Sequence, residues 1–124
     1  MSNDRNPIDA ETIVDLAAGA SELVTANFGP RLNTGETLSS VTSITQTEQP
    51  TAGSGESSTL TLGSGTINTG GAVTVDGQSR AVSTVVQFRV TAPSNATSGT
   101  YKIKVLAATS ASNTKPLNVL VRIW

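Results

Sequence analysis

Ser79–Pro93, SRAVSTVVQFRVTAP, is the stretch whose reading decides the fold. Val82, Thr84, Val86, Phe88, Val90 and Ala92 share one parity; Ala81, Ser83, Val85, Gln87, Arg89 and Thr91 share the other. Successive side chains of a strand point to opposite faces, so the first set makes an apolar face and the second a mostly polar one. A helix would scatter Val82, Val86 and Val90 and gain little from so many β-branched residues. The stretch predicts one long, half-buried antiparallel strand.

The same alternation recurs downstream. Thr100–Thr109 sends Tyr101, Ile103, Val105 and Ala107 inward and Thr100, Lys102 and Lys104 outward, with Leu106 interrupting the polar face. Leu117–Trp124 sends Leu117, Val119, Val121 and Ile123 inward and Asn118, Leu120, Arg122 and Trp124 outward. Upstream, Ser21–Phe28 and Leu38–Gln46 read as strands. The second carries a bulge, because Leu38 and Ile44 share a parity that Val41 does not. Phe28 and Leu32 are expected to plug one end of the core, beside the turn-rich GPRLNTGE. Ser57–Leu62 reads as a short strand. The segment after it is a tight meander, with Gly70-Gly71 and Asp76-Gly77 as two-residue turns. Loops fall at TEQPTAGSGESS, APSNATSG and SASNTK. Seven to nine short strands with such turns predict an all-β antiparallel sandwich over residues 21–124.

Residues 1–20 are less decided. Asp9 is placed to cap a short helix with Ile13, Leu16, Ala17 and Ala20 on one face. TIVDLAAG reads equally as an irregular strand ending at Gly19. The expectation is an N-terminal arm, extended, with at most one helical turn.

Composition narrows the chemistry. Ser and Thr supply 34 of the 124 residues, which suits strands, turns and solvated faces better than helices. The net charge is −1 with no run of like charge, so neither nucleic acid nor an anionic membrane is an expected partner. MSNDRNPIDAET lacks the basic and apolar regions of a secretory signal, and synthesis in the cytoplasm is expected. The chain has no His and no Cys, which removes imidazole bases, Ser-His-Asp triads, thiol nucleophiles and disulfides. The acids lie mainly in the arm, loops and turns, as solvated charges do. No spacing suggests a calcium loop, and GSG at 53–55 and 63–65 lacks the Lys of a phosphate cradle. Catalytic residues, metal ligands, cofactors and a small-molecule substrate are therefore not expected.

Two aromatic residues have more specific readings. Gly99-Thr100-Tyr101 opens a strand just after a crossing loop, where a sandwich Tyr bonds back to the preceding connection and pins it. Gly99 and Tyr101 are thus the expected structural corner. Trp124 sits on the outward parity beside Arg122, either lying back over Leu120 or anchoring a protein contact, a role for which Trp and Arg are favoured.

STVVQFRVTAPSNATSGTYKIKVLAATSASNTKPLNVLVRIW, at 83–124, resembles the immunoglobulin-like domain of small tailed-phage virion proteins, the fiber-tail adaptors. FGPRLNTGETLSSV and TVDGQSRAVSTVVQFRV are similar to the same group, so the resemblance spans residues 21–124. It implies an immunoglobulin-like sandwich and a non-enzymatic virion subunit, joining tail tube or baseplate to fibers as a homo-oligomer. A capsid decoration protein of the same fold is the alternative, and a ligand-binding adhesin module is the alternative of another class. The implied partners are other virion proteins and further copies of the chain. On this reading the contact candidates are Ile8, Ile13 and Leu16 of the arm, Arg31, and Leu120, Arg122 and Trp124.

Overall fold

The structure is a computed structural model that describes residues 10–75 and 78–124. Its strands run β1 (Ala10–Leu16), β2 (Ser21–Asn27), β3 (Leu38–Glu48), β4 (Thr61–Leu62), β5 (Thr66–Ile67), β6 (Val73–Val75), β7 (Gln78–Arg80), β8 (Val85–Thr91), β9 (Gly99–Thr109) and β10 (Thr114–Ile123). A 3-10 turn, Gly29–Arg31, follows β2. Asp76-Gly77, Ile8 and Asp9 lie outside the described residues.

Strict alternation builds the centre. β9 buries Tyr101, Ile103, Val105 and Ala107, while β10 buries Leu117, Val119, Val121 and Ile123. The two pair antiparallel with Val121 opposite Tyr101, so both apolar rows fall on one side of the sheet. β3 lies on the far side of β9, and three register shifts bend it so that Val41 and Ile44 both reach the core margin. The facing sheet has the order β2-β8-β4, with β5 also on β8, and contributes Val24, Ala26, Val86, Phe88 and Val90. Phe28 is fully buried at the end of β2. Burying each such side chain is worth about 1.5–3 kcal/mol, which makes this shared interior the main stabilising term.

The strands divide as in an immunoglobulin sandwich. In the constant-type domain, strands A, B, E and D face C, F and G. Here β2, β8 and β4 form one sheet, and β3, β9 and β10 belong to the other. The first strand departs from that scheme, because β1 adds to β10 in parallel. The sheet is therefore mixed, not wholly antiparallel. Residues 10–16, read from sequence as part of an arm outside the sandwich, are its edge strand, and no helical turn forms there. Ile13, Leu16 and Ala20 fit helical spacing, but the open edge of β10 offers backbone partners to a strand. Leu16 then drops into the core.

Ser79–Pro93 is not one strand. β7 pairs with β6 as a separate hairpin, residues 81–84 turn, and β8 begins only at Val85. Val82, expected inward, is 45% exposed, and Val85, expected outward, is fully buried. Asn68 imposes the break. Its Nδ2 donates to the carbonyls of Gly71 and Ala81 at 3.1 and 2.8 Å, and its Oδ1 accepts from the N–H groups of Thr84 and Val85 at 3.0 and 3.1 Å. Meeting those four groups folds the chain over Asn68 and leaves Ser83 at φ 58°. The strand expected at Ser57–Leu62 shrinks to Thr61–Leu62. Gln46 replaces the missing ladder, with Nε2 donating to Ser58 O at 2.6 Å and Oε1 accepting from Leu60 N at 2.9 Å.

Candidate interaction surface

Register places the outward residues of the β1-β10-β9-β3 sheet in rows. One row runs Ile13, Leu120, Lys102, Glu48 across all four strands. Beside it lies Asp15, Arg122, Thr100, and on the other flank Asn118, Lys104, Thr45. Pro116, Leu106 and Ser43 form the next row. The face is thus mostly polar, with an apolar pair, Ile13 and Leu120, whose row ends in the Lys102–Glu48 ion pair. Lys102 Nζ stands 3.3 Å from Glu48 Oε2. Arg122 donates from Nε to Asp15 Oδ1 at 2.8 Å and from Nη2 to Oδ2 at 3.1 Å, a two-pronged contact that fixes the guanidinium plane.

Four of the contact candidates meet here. Ile13 is opposite Leu120, Arg122 is opposite Asp15, and Trp124, 74% exposed, follows β10 at the same edge. Leu16 lies on the same strand but faces the other way. At 2% exposure it belongs to this chain's own core and is not available as a surface contact. Arg31 is apart from the group, on the 3-10 turn beyond Asn27, at the opposite end of the sandwich.

The opposite outer face differs in kind. Its rows are Ser21 with Thr91 and Thr61, Leu23 with Arg89, and Thr25 with Gln87 and Thr66. Side chains bond to one another along it: Thr91 to Ser21 at 3.0 Å and Gln87 Nε2 to Thr25 Oγ1 at 3.2 Å. Leu23 is its exposed large apolar residue.

Two further polar clusters fasten the ends. Tyr101 Oη donates to Thr97 O at 2.7 Å, closing the loop that leads into β9, and burial pushes the phenol pKa up. Gly99 at this corner has φ +138°, which strains any side chain, and a Cβ there would stand a tight 3.1 Å from Pro50 Cγ. At the other end Glu36, 7% exposed, accepts from Asn33 N at 2.9 Å, from Thr109 Oγ1 at 2.5 Å and from Asn113 Nδ2 at 3.0 Å. These donors, the Asn33 N–H foremost, lower its pKa to about 2. Sequence reading missed Glu36 and Asn68, and only the turn-forming residues around each hinted at them.

A groove of about 960 Å³ between β3 and residues 56–62 is lined by Ile44, Gln46, Leu60 and Leu62, with Glu56 as its carboxylate. Gln46 is spent on Ser58 and Leu60, and Glu56 accepts from Gly53 N at 3.0 Å. Both of these side chains therefore serve the loop. Among the described residues, no three acids gather as a metal site would need.

The fold defines the chain as an all-β, immunoglobulin-like sandwich. No protein-family model matches it, and a search of curated proteins finds no match. Among solved structures, one titled "Solution Structure of Amebosin" is similar at a TM-score of 0.44 and 13% identity, over 95% of this chain and 93% of that one.

Proposed function

We propose that the chain is a non-enzymatic structural subunit of a tailed-phage virion, an adaptor between tail tube or baseplate and fibers that works through contacts with its own copies and with neighbouring virion proteins. One observation carries the reading. The strand pair β1–β10 gathers Ile13, Leu120, Arg122 and Trp124 onto one margin of one face, leaving Ile13 56% and Trp124 74% exposed. Exposed Ile13 and Trp124 beside Leu120 and a paired Arg122 suit an assembly contact better than they suit a solvated face. The tail as the location rests on the resemblance to fiber-tail adaptors drawn from the sequence of residues 21–124. The test is immunogold labelling of intact particles together with mass spectrometry of their proteins. Label at the tail is the expected result. Label over the head would replace the adaptor by a decoration protein, and absence from purified particles would overturn the virion reading.

A further inference from the structure

β1 is held to the sandwich mainly through one strand. Its register with β10 runs from Ala10 opposite Asn118 to Leu16 opposite Ile123, with a shift between Ala10 and Thr12 that loosens its start. Parallel pairing of this kind is slightly weaker per residue than antiparallel pairing. Two anchors fix its place. Leu16 fills a site in the core, and the Asp15 carboxylate receives the fork of Arg122. Both anchors are written in this chain's own sequence, so the β10 edge selects a segment reading Ile13-Val14-Asp15-Leu16.

The link to β2 is residues 17–20, which cross from one sheet to the other. It is closed by Ala20 N donating to Ala17 O and by Gly19 N donating to Pro93 O, each at 3.0 Å, with Gly19 at φ +83°. Opening that turn frees β1 as a unit and leaves the ladders β2–β8, β3–β9 and β9–β10 in place. The vacated edge then presents unpaired backbone groups, Arg122 without its carboxylate, and an empty site where Leu16 sat. One segment answers all three, β1 itself, from the same chain or from another.

We propose that β1 is an exchangeable strand, so that the β10 edge of one copy takes β1 of a second copy, with Leu16 and Asp15 of the incoming strand seated as in the closed chain. The contacts of the closed form are remade between copies. What differs is the opened turn and the entropy of association, so exchange grows with concentration. The proposal relies on the virion reading only for its use, as the joint of a homo-oligomer.

The chain has no Cys, and Ile13 and Leu120 face each other on the outer face, so a 13–120 disulfide in clear excess over 13–13 and 120–120 disulfides, which face-to-face contact of closed chains would also give, reports the register. Ile13→Cys and Leu120→Cys are made as separate variants, refolded together from denaturant at rising concentration and oxidised. The expected product is a heterodimer whose peptide map shows a 13–120 disulfide in excess over 13–13 and 120–120, increasing with concentration and absent when the folded variants are mixed without denaturant. In parallel, deleting Ala17 and Ala18 prevents β1 from folding back, and light scattering is expected to show at least a doubling of mass. Exchange is overturned if the mixture yields no excess of the 13–120 heterodimer at any concentration while the Ile13→Cys/Leu120→Cys double variant closes that disulfide within single chains. A deletion variant that stays monomeric or unfolds also counts against it. The virion reading would survive either result, because it is tested on particles and not on the purified chain.

Discussion

The two ends of the sandwich are fastened by different chemistry. Where β8 crosses to β9, the fastening is neutral and local, a Tyr101 hydroxyl on a carbonyl four residues earlier. At the other end it is charged and long-range. The Glu36 carboxylate gathers donors from Asn33, Thr109 and Asn113, and Thr37 N donates to Ser110 Oγ at 3.0 Å beside it. Asn68 belongs to the same end, tying residues 81–85 under the meander. A buried neutral hydroxyl fastens equally well over a wide pH range. A carboxylate bound by three donors fastens only while it is ionised, so one end should answer to acid and the other should not.

Removing Asn68 should have the largest effect. Asn68→Ala removes the side-chain partner of the Gly71 carbonyl and of the Thr84 and Val85 N–H groups, while the Ala81 carbonyl keeps Thr84 Oγ1 at 2.7 Å, and a loss of about 2–3 kcal/mol is expected in denaturant unfolding. A loss below about 1 kcal/mol would mean that the turn at 81–84 holds without it. Tyr101→Phe comes next. It strands the buried Thr97 carbonyl while keeping the ring, and should cost about 1–2 kcal/mol, equally at pH 7 and pH 4.

Glu36 should show itself through pH more than through size. Its pKa is about 2 in the folded chain against the ordinary 4.5, so its contribution is complete above pH 4.5 and drains away as pH falls towards 2. Thermal unfolding of the wild type should therefore weaken over that window. Glu36→Gln should flatten this part of the profile, and Tyr101→Phe should keep it. A Glu36→Gln profile as steep as the wild type would move the acid response to other carboxylates and dissolve the contrast between the ends.

The same contrast explains what was legible in the sequence. The Tyr101 corner could be read because spacing alone defines it. The inward rows of β9 and β10 were readable for the same reason: period two is a local property. Glu36 was not, since Thr109 and Asn113 lie 73 and 77 residues away and nothing in ETLSS marks a buried acid. Val82 was misplaced because the parity of Ser79–Pro93 continues unbroken through a turn that Asn68, from another segment, imposes. β1 was undecided because Ile13 and Leu16 satisfy helix and strand spacing alike, and the deciding partner, β10, enters about a hundred residues later. Of the contact candidates, Leu120, Arg122 and Trp124 rest on outward parity in the last strand, whereas Ile8, Ile13 and Leu16 rest on membership of the arm. Membership of the arm could not reveal that Leu16 faces inward, because it assigns no parity to residues 10–16.

A second carboxylate, at the Tyr101 end, provides the control. Asp15 also meets its partner at short range, yet both it and Arg122 keep 54% of their side-chain surface in water. Water already solvates these charges, so pairing them returns little, and exposed pairs are typically worth about 0.2–1 kcal/mol. Arg122→Ala should accordingly lower monomer stability by less than about 1 kcal/mol, the smallest effect of the four, and salt should erase most of it. Guanidinium chloride would mask this as an ionic denaturant, so urea melts at low and high salt are the proper measurement. A loss of several kcal/mol would show that number of donors and burial are not what separates Glu36 from Asp15. It would also make the β1–β10 edge an integral part of the closed sandwich, too firmly held to open.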